Sequence, residues 1–199
     1  MPRTQQDRSS STKAALMTAA RELFAERGYQ AVPADEIVRA AGVTRGALYH
    51  HYSDKQGLFR AVVEEIEREL TVEVQQAFGE SPDLMSGMLN ATQVFLTACM
   101  RDEVRQISLT DAPAVLGWAV WREIEAEYGL GLLVGMLEKA VEDGVIEPQP
   151  VRTLAQLSLS AVMEAARMIA DAEDPERVGA EVQQVLGGWF ASLLRNSPA

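Results

Sequence analysis

One cysteine, two histidines and an aromatic content of 6% are a sparse chemical inventory for 199 residues. Cys99 has no second cysteine with which to form an internal disulfide, which fits a reducing cytoplasm. Long hydrophobic runs are missing as well. The longest uncharged apolar runs, such as "YGLGLLVGML", reach about half of the roughly 20 residues needed to span a bilayer. The opening "MPRTQQDRSSSTK" is polar and lacks the apolar centre of a secretory signal. No membrane partner and a cytoplasmic location are therefore expected. Strand-like alternation is absent, and β-branched residues do not cluster.

What is present is ordinary in bulk and uneven in distribution. Hydrophobic residues make up 47% and charged residues 24%, as in a soluble globular protein with a sizeable core. The net charge of −11 argues at first against a nucleic-acid partner. Residues 1 to 60, however, carry nine Lys/Arg against six Asp/Glu, while the remainder carries nine against 23. A basic first part (+3) joined to an acidic second part (−14) suggests two units with different partners.

The pattern throughout is helical. "SSSTKAALMTAARELFAERGY" begins with serine caps, repeats apolar residues at Leu16, Ala19, Ala20, Leu23 and Phe24, and stops at Gly28. Pro33 suits the first turn of a second helix, with Asp35 and Glu36 at its positive end, running to Ala41. Gly42 and Val43 make a tight turn, and Thr44 caps a third helix through Tyr52. Ser53 and Gln56 have capping-box spacing for a long helix over 54–78. After the break "GESPD", helices are read at 83–101, 103–109, 116–144, 151–172 and 175–195.

The histidines fall in "GVTRGALYHHYSDKQGLF". A short helix, a Gly-containing turn and a second short helix form a helix-turn-helix. Ile37, Ala41, Val43, Leu48 and Tyr52 face a small core with Leu16, Leu23 and Phe24, leaving Arg45, Gly46, Tyr49 and His50 on the exposed side. An arginine in the first turn can pair bidentately with guanine, and tyrosine, histidine and Lys55 can hold phosphates. A metal site is a poor alternative. Adjacent helical residues diverge by about 100°, and no cysteine or further histidine lies nearby. A catalytic dyad fares no better, since only Ser53 and Asp54 are local candidates for its partners. Two solvated surface histidines are the bland reading.

"AVPADEIVRAAGVTRGALYHHYSDKQGLFRAVV" resembles the DNA-binding module of TetR-type transcriptional regulators. The likeness rests on Ile37-Val38, Ala41-Gly42-Val43-Thr44, Gly46, Leu48-Tyr49, His51-Tyr52 and Lys55, within a match of about 45 residues from Ala15 to Phe59. The resemblance implies DNA contacts from Thr44, Arg45, Gly46, Ala47, Tyr49, His50, His51 and Lys55. Two positions depart from the pattern. Pro33 stands where the family often has Ser or Thr, and Asp35 stands near a position that is often basic.

The later helices carry more apolar faces than one subunit covers. Leu154, Leu157 and Ala161 share one side of their helix, and Val182, Leu186, Trp189 and Leu193 recur along the last one. A helix apolar on several faces must be buried on several faces, so these seven are expected at a homodimer interface; TetR-like proteins are similarly dimeric through their last two helices. Burial against the chain's own body is the competing explanation. The middle segment offers Phe95, Cys99, Trp118, Trp121, Tyr128, Met136 and Met163 as pocket material, although a packed core is the commoner use of such residues. "GLGLLVG" lies in a helix with no preceding strand, so it is not a phosphate loop. Glu164 and Arg167, at i and i+3, form either a local ion pair or a polar anchor for a ligand.

These features give an all-α fold. Residues 1–53 are read as a three-helix DNA-binding domain and residues 54–199 as a larger helical bundle for effector binding and dimerisation, connected by the helix 54–78. The function read is a ligand-responsive regulator, without cofactor or metal. The expectation is a repressor released from a palindromic double-stranded operator by a small apolar effector, with activation the open alternative. Its rivals are a small helical enzyme and a protein-binding adaptor. The enzyme reading finds no metal motif, nucleotide loop or nucleophile–base pair in the chain.

Overall fold

The computed structural model describes residues 5–193. It is all-α, with no β-strand among the described residues. The helices are α1 (Gln5–Ala31), α2 (Ala34–Ala40), α3 (Arg45–Tyr52), α4 (Lys55–Gly79), α5 (Leu84–Cys99), α6 (Ala112–Leu116), α7 (Trp118–Glu125), α8 (Gly131–Glu142), α9 (Val151–Ala170) and α10 (Pro175–Leu193). Two wider π-helical segments, Val104–Asp111 and Ala126–Leu130, are interposed. The chain forms two compact units. The first comprises residues through Ile66 together with Arg101–Arg122; the second comprises Glu67–Met100 and the residues from Glu123 onward.

In the first unit, α1 is already helical at Gln5, so the serines at 9–11 lie inside the helix and do not cap it. Gly28 interrupts the helix at φ 73°, ψ 160°, a conformation available to glycine at little cost. Leu16, Ala20, Phe24, Ile37, Leu48 and Phe59 have no exposed surface. Phe24 meets Phe59 edge-on at 5.3 Å between ring centres, and Tyr29 lies 4.9 Å from Phe59. Each such fully buried large side chain contributes about 1.5–3 kcal/mol relative to exposure. Tyr52 is buried as well, and burial pushes its hydroxyl pKa up to about 12.

Residues 101–122 pack in this same unit, and polar contacts fix them. Arg21 donates to Glu103 at 2.8 and 3.0 Å, and the Tyr29 amide donates to the Asp111 carboxylate at 2.7 Å. Gln56 donates to the Val115 carbonyl at 2.7 Å. The domain boundary expected at residue 53 therefore compares with a division inside α4, at Ile66/Glu67.

The second unit is built from the later part of α4 with α5, α8, α9 and α10. Its core includes Leu70, Met88, Leu96, Cys99, Leu137 and Ala166. The helix expected over 116–144 runs without a break from Trp118 to Glu142, starting after a kink and carrying a π turn. Gly117 leaves helical geometry at φ 80°, ψ 156°, and the π turn at Ala126–Leu130 adds residues to the helical repeat. The segment 103–109 is π-helical over Val104–Asp111 and runs directly into α6, which carries Pro113 near its start. The last helix is described to Leu193; residues 194 and 195, also read as helical, lie outside the described residues.

Candidate DNA-recognition helix and body cavity

The turn between α2 and α3 is closed by backbone and side chain together. The Gly42 amide donates to the Arg39 carbonyl, Val43 to Val38, and Gly42 takes φ 66°. Thr44 caps α3 by accepting from the Ala47 amide at 3.3 Å. Leu48 and Tyr52 anchor α3 in the core. Thr44, Arg45, Gly46, Tyr49 and His50 are exposed as a result, while Ala47 and His51 are half-buried.

Arg45 is engaged on both sides. Its guanidinium donates to the Tyr49 hydroxyl at 3.0 Å and to Asp35 of α2 at 3.0 and 3.3 Å, and it lies 5.5 Å from the Tyr49 ring centre. The hydrogen bond with Tyr49, and then the charge of Asp35, hold its pKa above the ordinary arginine value. The His50 and His51 rings meet edge-on at 5.1 Å. Among the described residues, no group of three or more His, Cys, Asp or Glu is placed to hold a metal ion.

Lys55 has an internal employment that its sequence position did not reveal. Its ammonium donates to the carbonyls of Tyr29 and Val32, each at 2.8 Å, and sits 3.7 Å from the Tyr29 ring centre. Burial lowers its pKa, opposed by the charge of Asp111. The corner preceding it is tight. Ser53 adopts φ 65°, and Asp54, not Ser53, caps α4 by accepting from the Gly57 amide at 2.7 Å. A Cβ on Gly57 would lie 2.1 Å from the Tyr52 carbonyl oxygen.

The second unit contains a partly open cavity of about 100 Å³. Leu70, Met88, Phe95, Met136, Val162 and Phe190 supply much of its apolar wall. Four polar side chains also line it: Glu67, Thr71, Thr92 and Ser158. Of the residues singled out as pocket material, Phe95 and Met136 line this cavity. Cys99 and Met163 are buried elsewhere in the unit, and Tyr128 is half-buried away from it. The two tryptophans belong to the first unit and part company there: Trp121 is 1% exposed and Trp118 is 64% exposed, 5.7 Å from the Arg122 guanidinium. Arg167 and Glu164 approach to 3.6 Å as an exposed pair and do not line the cavity.

The helices read as a dimer surface present two kinds of residue. Val182 and Leu186 are buried within the subunit, at 7% and 6% exposure. Leu157 and Val185 stand out at 59% and 68%, and Met168 is exposed on the same side of α9 as Leu157. Leu154, Ala161, Trp189 and Leu193 are half-buried.

A short helix, a glycine turn and a second short helix with an arginine-bearing exposed face define a DNA-binding helix-turn-helix protein. Residues 16–62 match the family model for bacterial regulatory proteins of the tetR family, and residues 85–193 match that of the tetracyclin repressor-like C-terminal domain. The chain belongs to the TetR family and is a DNA-binding transcriptional regulator. A TetR-family transcriptional regulator from Pectobacterium atrosepticum superposes with a TM-score of 0.84 at 32% identity, covering 98% of this chain and 100% of that one. The HTH-type transcriptional repressor Rv1474c of Mycobacterium tuberculosis is 29% identical over 189 residues, 93% of this chain and 96% of that protein. RolR, solved in complex with resorcinol, shares the fold at 17% identity, with a TM-score of 0.73 over 96% of this chain and 91% of that one.

Proposed function

We propose that the protein is a homodimeric repressor, acting in the cytoplasm and released from a palindromic operator by a small apolar effector. The observation that carries the ligand-responsive part is the partly open apolar cavity lined by α4, α5, α8, α9 and α10. Ligand sites are concave, mostly apolar and equipped with a few polar groups, as this cavity is. The exposed Leu157 and Val185, on adjacent helices that bury their other faces, support a second copy as their cover. A dimer presents two α3 helices to successive major grooves about 34–36 Å apart, with Arg45 at base edges and Thr44, Tyr49, His50 and His51 toward the backbone. The effector releases DNA only to the extent that it binds the non-operator arrangement more tightly.

A gel shift with duplex DNA flanking the protein's own gene tests this reading. Binding of a specific, palindromic fragment by a dimer is the expected result. A protein that binds no fragment better than random duplex of equal length is not this repressor.

A further inference from the structure

Ser158 and Ser160 lie on the same helix, two residues apart, and their hydroxyls have different fates. Ser160, exposed, donates to the Gln156 carbonyl at 2.9 Å, the usual bond of a helical serine to the preceding turn. Ser158 is 1% exposed, lines the cavity, and its hydroxyl has no hydrogen-bond partner in the protein. A buried polar group without a partner is costly, and most such groups are satisfied. Two threonines also line the cavity: Thr71 on α4 donates to the Glu67 carbonyl at 2.7 Å, and Thr92 on α5 is only half-buried, unlike Ser158 on α9.

The charge of the lining restricts what Ser158 can hold. Among the described residues no lysine, arginine or histidine lines the cavity, so a carboxylate or phosphate inside it would lack a counter-charge there. Glu67 is the one acidic residue among the described lining residues and is already engaged within the protein. A wholly apolar ligand would fill the space and leave the Ser158 hydroxyl unsatisfied. Volume sets the remaining limit. A cavity of about 100 Å³ is on the scale of one that accepts a single aromatic ring, and the Met88 and Met136 side chains can shift to fit it.

Building on the effector reading above, we infer that the ligand is an uncharged molecule of about one ring or a short chain. It carries one hydroxyl or carbonyl, which pairs with Ser158, while the rest of the molecule contacts the apolar wall.

Calorimetric titration of the full-length protein with phenol, toluene, benzoate and benzylamine tests the assignment. Phenol should bind most tightly of the four. Ser158→Ala should weaken phenol about fivefold, the effect of one net hydrogen bond, and leave toluene unchanged. Ser160→Ala should change neither. Should Ser158→Ala fail to fold, Ser158→Thr and Ser158→Val provide a matched pair of nearly equal shape, with Thr binding phenol about fivefold better. Tighter binding of benzoate or benzylamine, or an unchanged phenol affinity when the hydroxyl is removed, overturns this inference and leaves the effector reading standing. Saturable binding of none of the four removes both.

Discussion

Asp35 in the first turn of α2 and Arg45 in the first turn of α3 form an ion pair at 3.0 Å on the exposed side of the helix-turn-helix. If Arg45 reads base edges as proposed, this carboxylate competes with DNA for it and adds negative charge where phosphate would approach. The pair is solvent-exposed, so it adds little to fold stability. Asp35→Asn should leave the melting temperature nearly unchanged and tighten operator and non-operator binding together, by about threefold to tenfold. Unaltered affinity in low-salt titrations would show that Asp35 imposes no such competition.

Arg45→Ala should act in the opposite sense. It removes a candidate bidentate contact, so specific binding should weaken by about 1–3 kcal/mol and base preference should relax at one position per half-site. Binding to a library of operator variants reads both quantities. Retention of wild-type affinity and preference would remove Arg45 from base recognition.

Two glycines separate folding from recognition. A Cβ at Gly57 would strike the Tyr52 carbonyl, so Gly57→Ala should open the α3–α4 corner and lower stability along with DNA binding. A Cβ at Gly46 would find only the Thr44 hydroxyl oxygen, at 3.9 Å. Gly46→Ala should melt like the wild type, and any loss of DNA affinity then reports close approach of the duplex. A fall in melting temperature for Gly46→Ala but not for Gly57→Ala would reverse this assignment.

Lys55→Met should cost roughly 2 kcal/mol of stability, because two charge-assisted bonds to backbone carbonyls are lost. If its ammonium also holds a phosphate, the salt slope of DNA binding should become shallower by about one unit in Lys55→Met. Denaturant unfolding and salt-dependent gel shifts measure the two roles independently. An unchanged unfolding midpoint would deny the bracing role.

At the proposed dimer surface, Leu157→Glu combined with Val185→Glu should give folded monomers, since both side chains are exposed in the subunit. Leu186→Glu should instead unfold the subunit, because Leu186 is buried there. Sedimentation of the wild type as a dimer and of the double variant as a helical monomer is the expected pair of results. A monomeric wild type at micromolar concentration would contradict the dimer.

The helix-turn-helix was legible because its signals are local. Gly42 at positive φ, the Thr44 cap and the alternation of Leu48 and Tyr52 with Arg45 and Tyr49 all act within one or two turns. The tryptophan surface was not legible. Trp118 and Trp121 are three apart, but Trp118 begins a helix after the break at Gly117, and burial there follows contacts made by residues 101–122 in the first unit. Lys55 reads from sequence as an ammonium for a DNA phosphate, and only folding brings the Tyr29 and Val32 carbonyls to it. Ser158 left a faint signal, a serine amid an apolar helix. Its difference from Ser160 depends on which face of α9 meets the cavity.

The packing of residues 101–122 with the N-terminal helices has a consequence for recombination. The chain passes between its two compact units at Ile66/Glu67, Met100/Arg101 and Arg122/Glu123, so no single splice point separates them. A hybrid regulator made by joining this N-terminal segment to the body of a relative at one junction would inherit a foreign version of residues 101–122. Glu103, Asp111 and the Val115 carbonyl would then have to be matched anew to Arg21, Tyr29 and Gln56. Exchange of operator specificity between such proteins therefore requires two grafted pieces, or a relative that already carries the same three contacts.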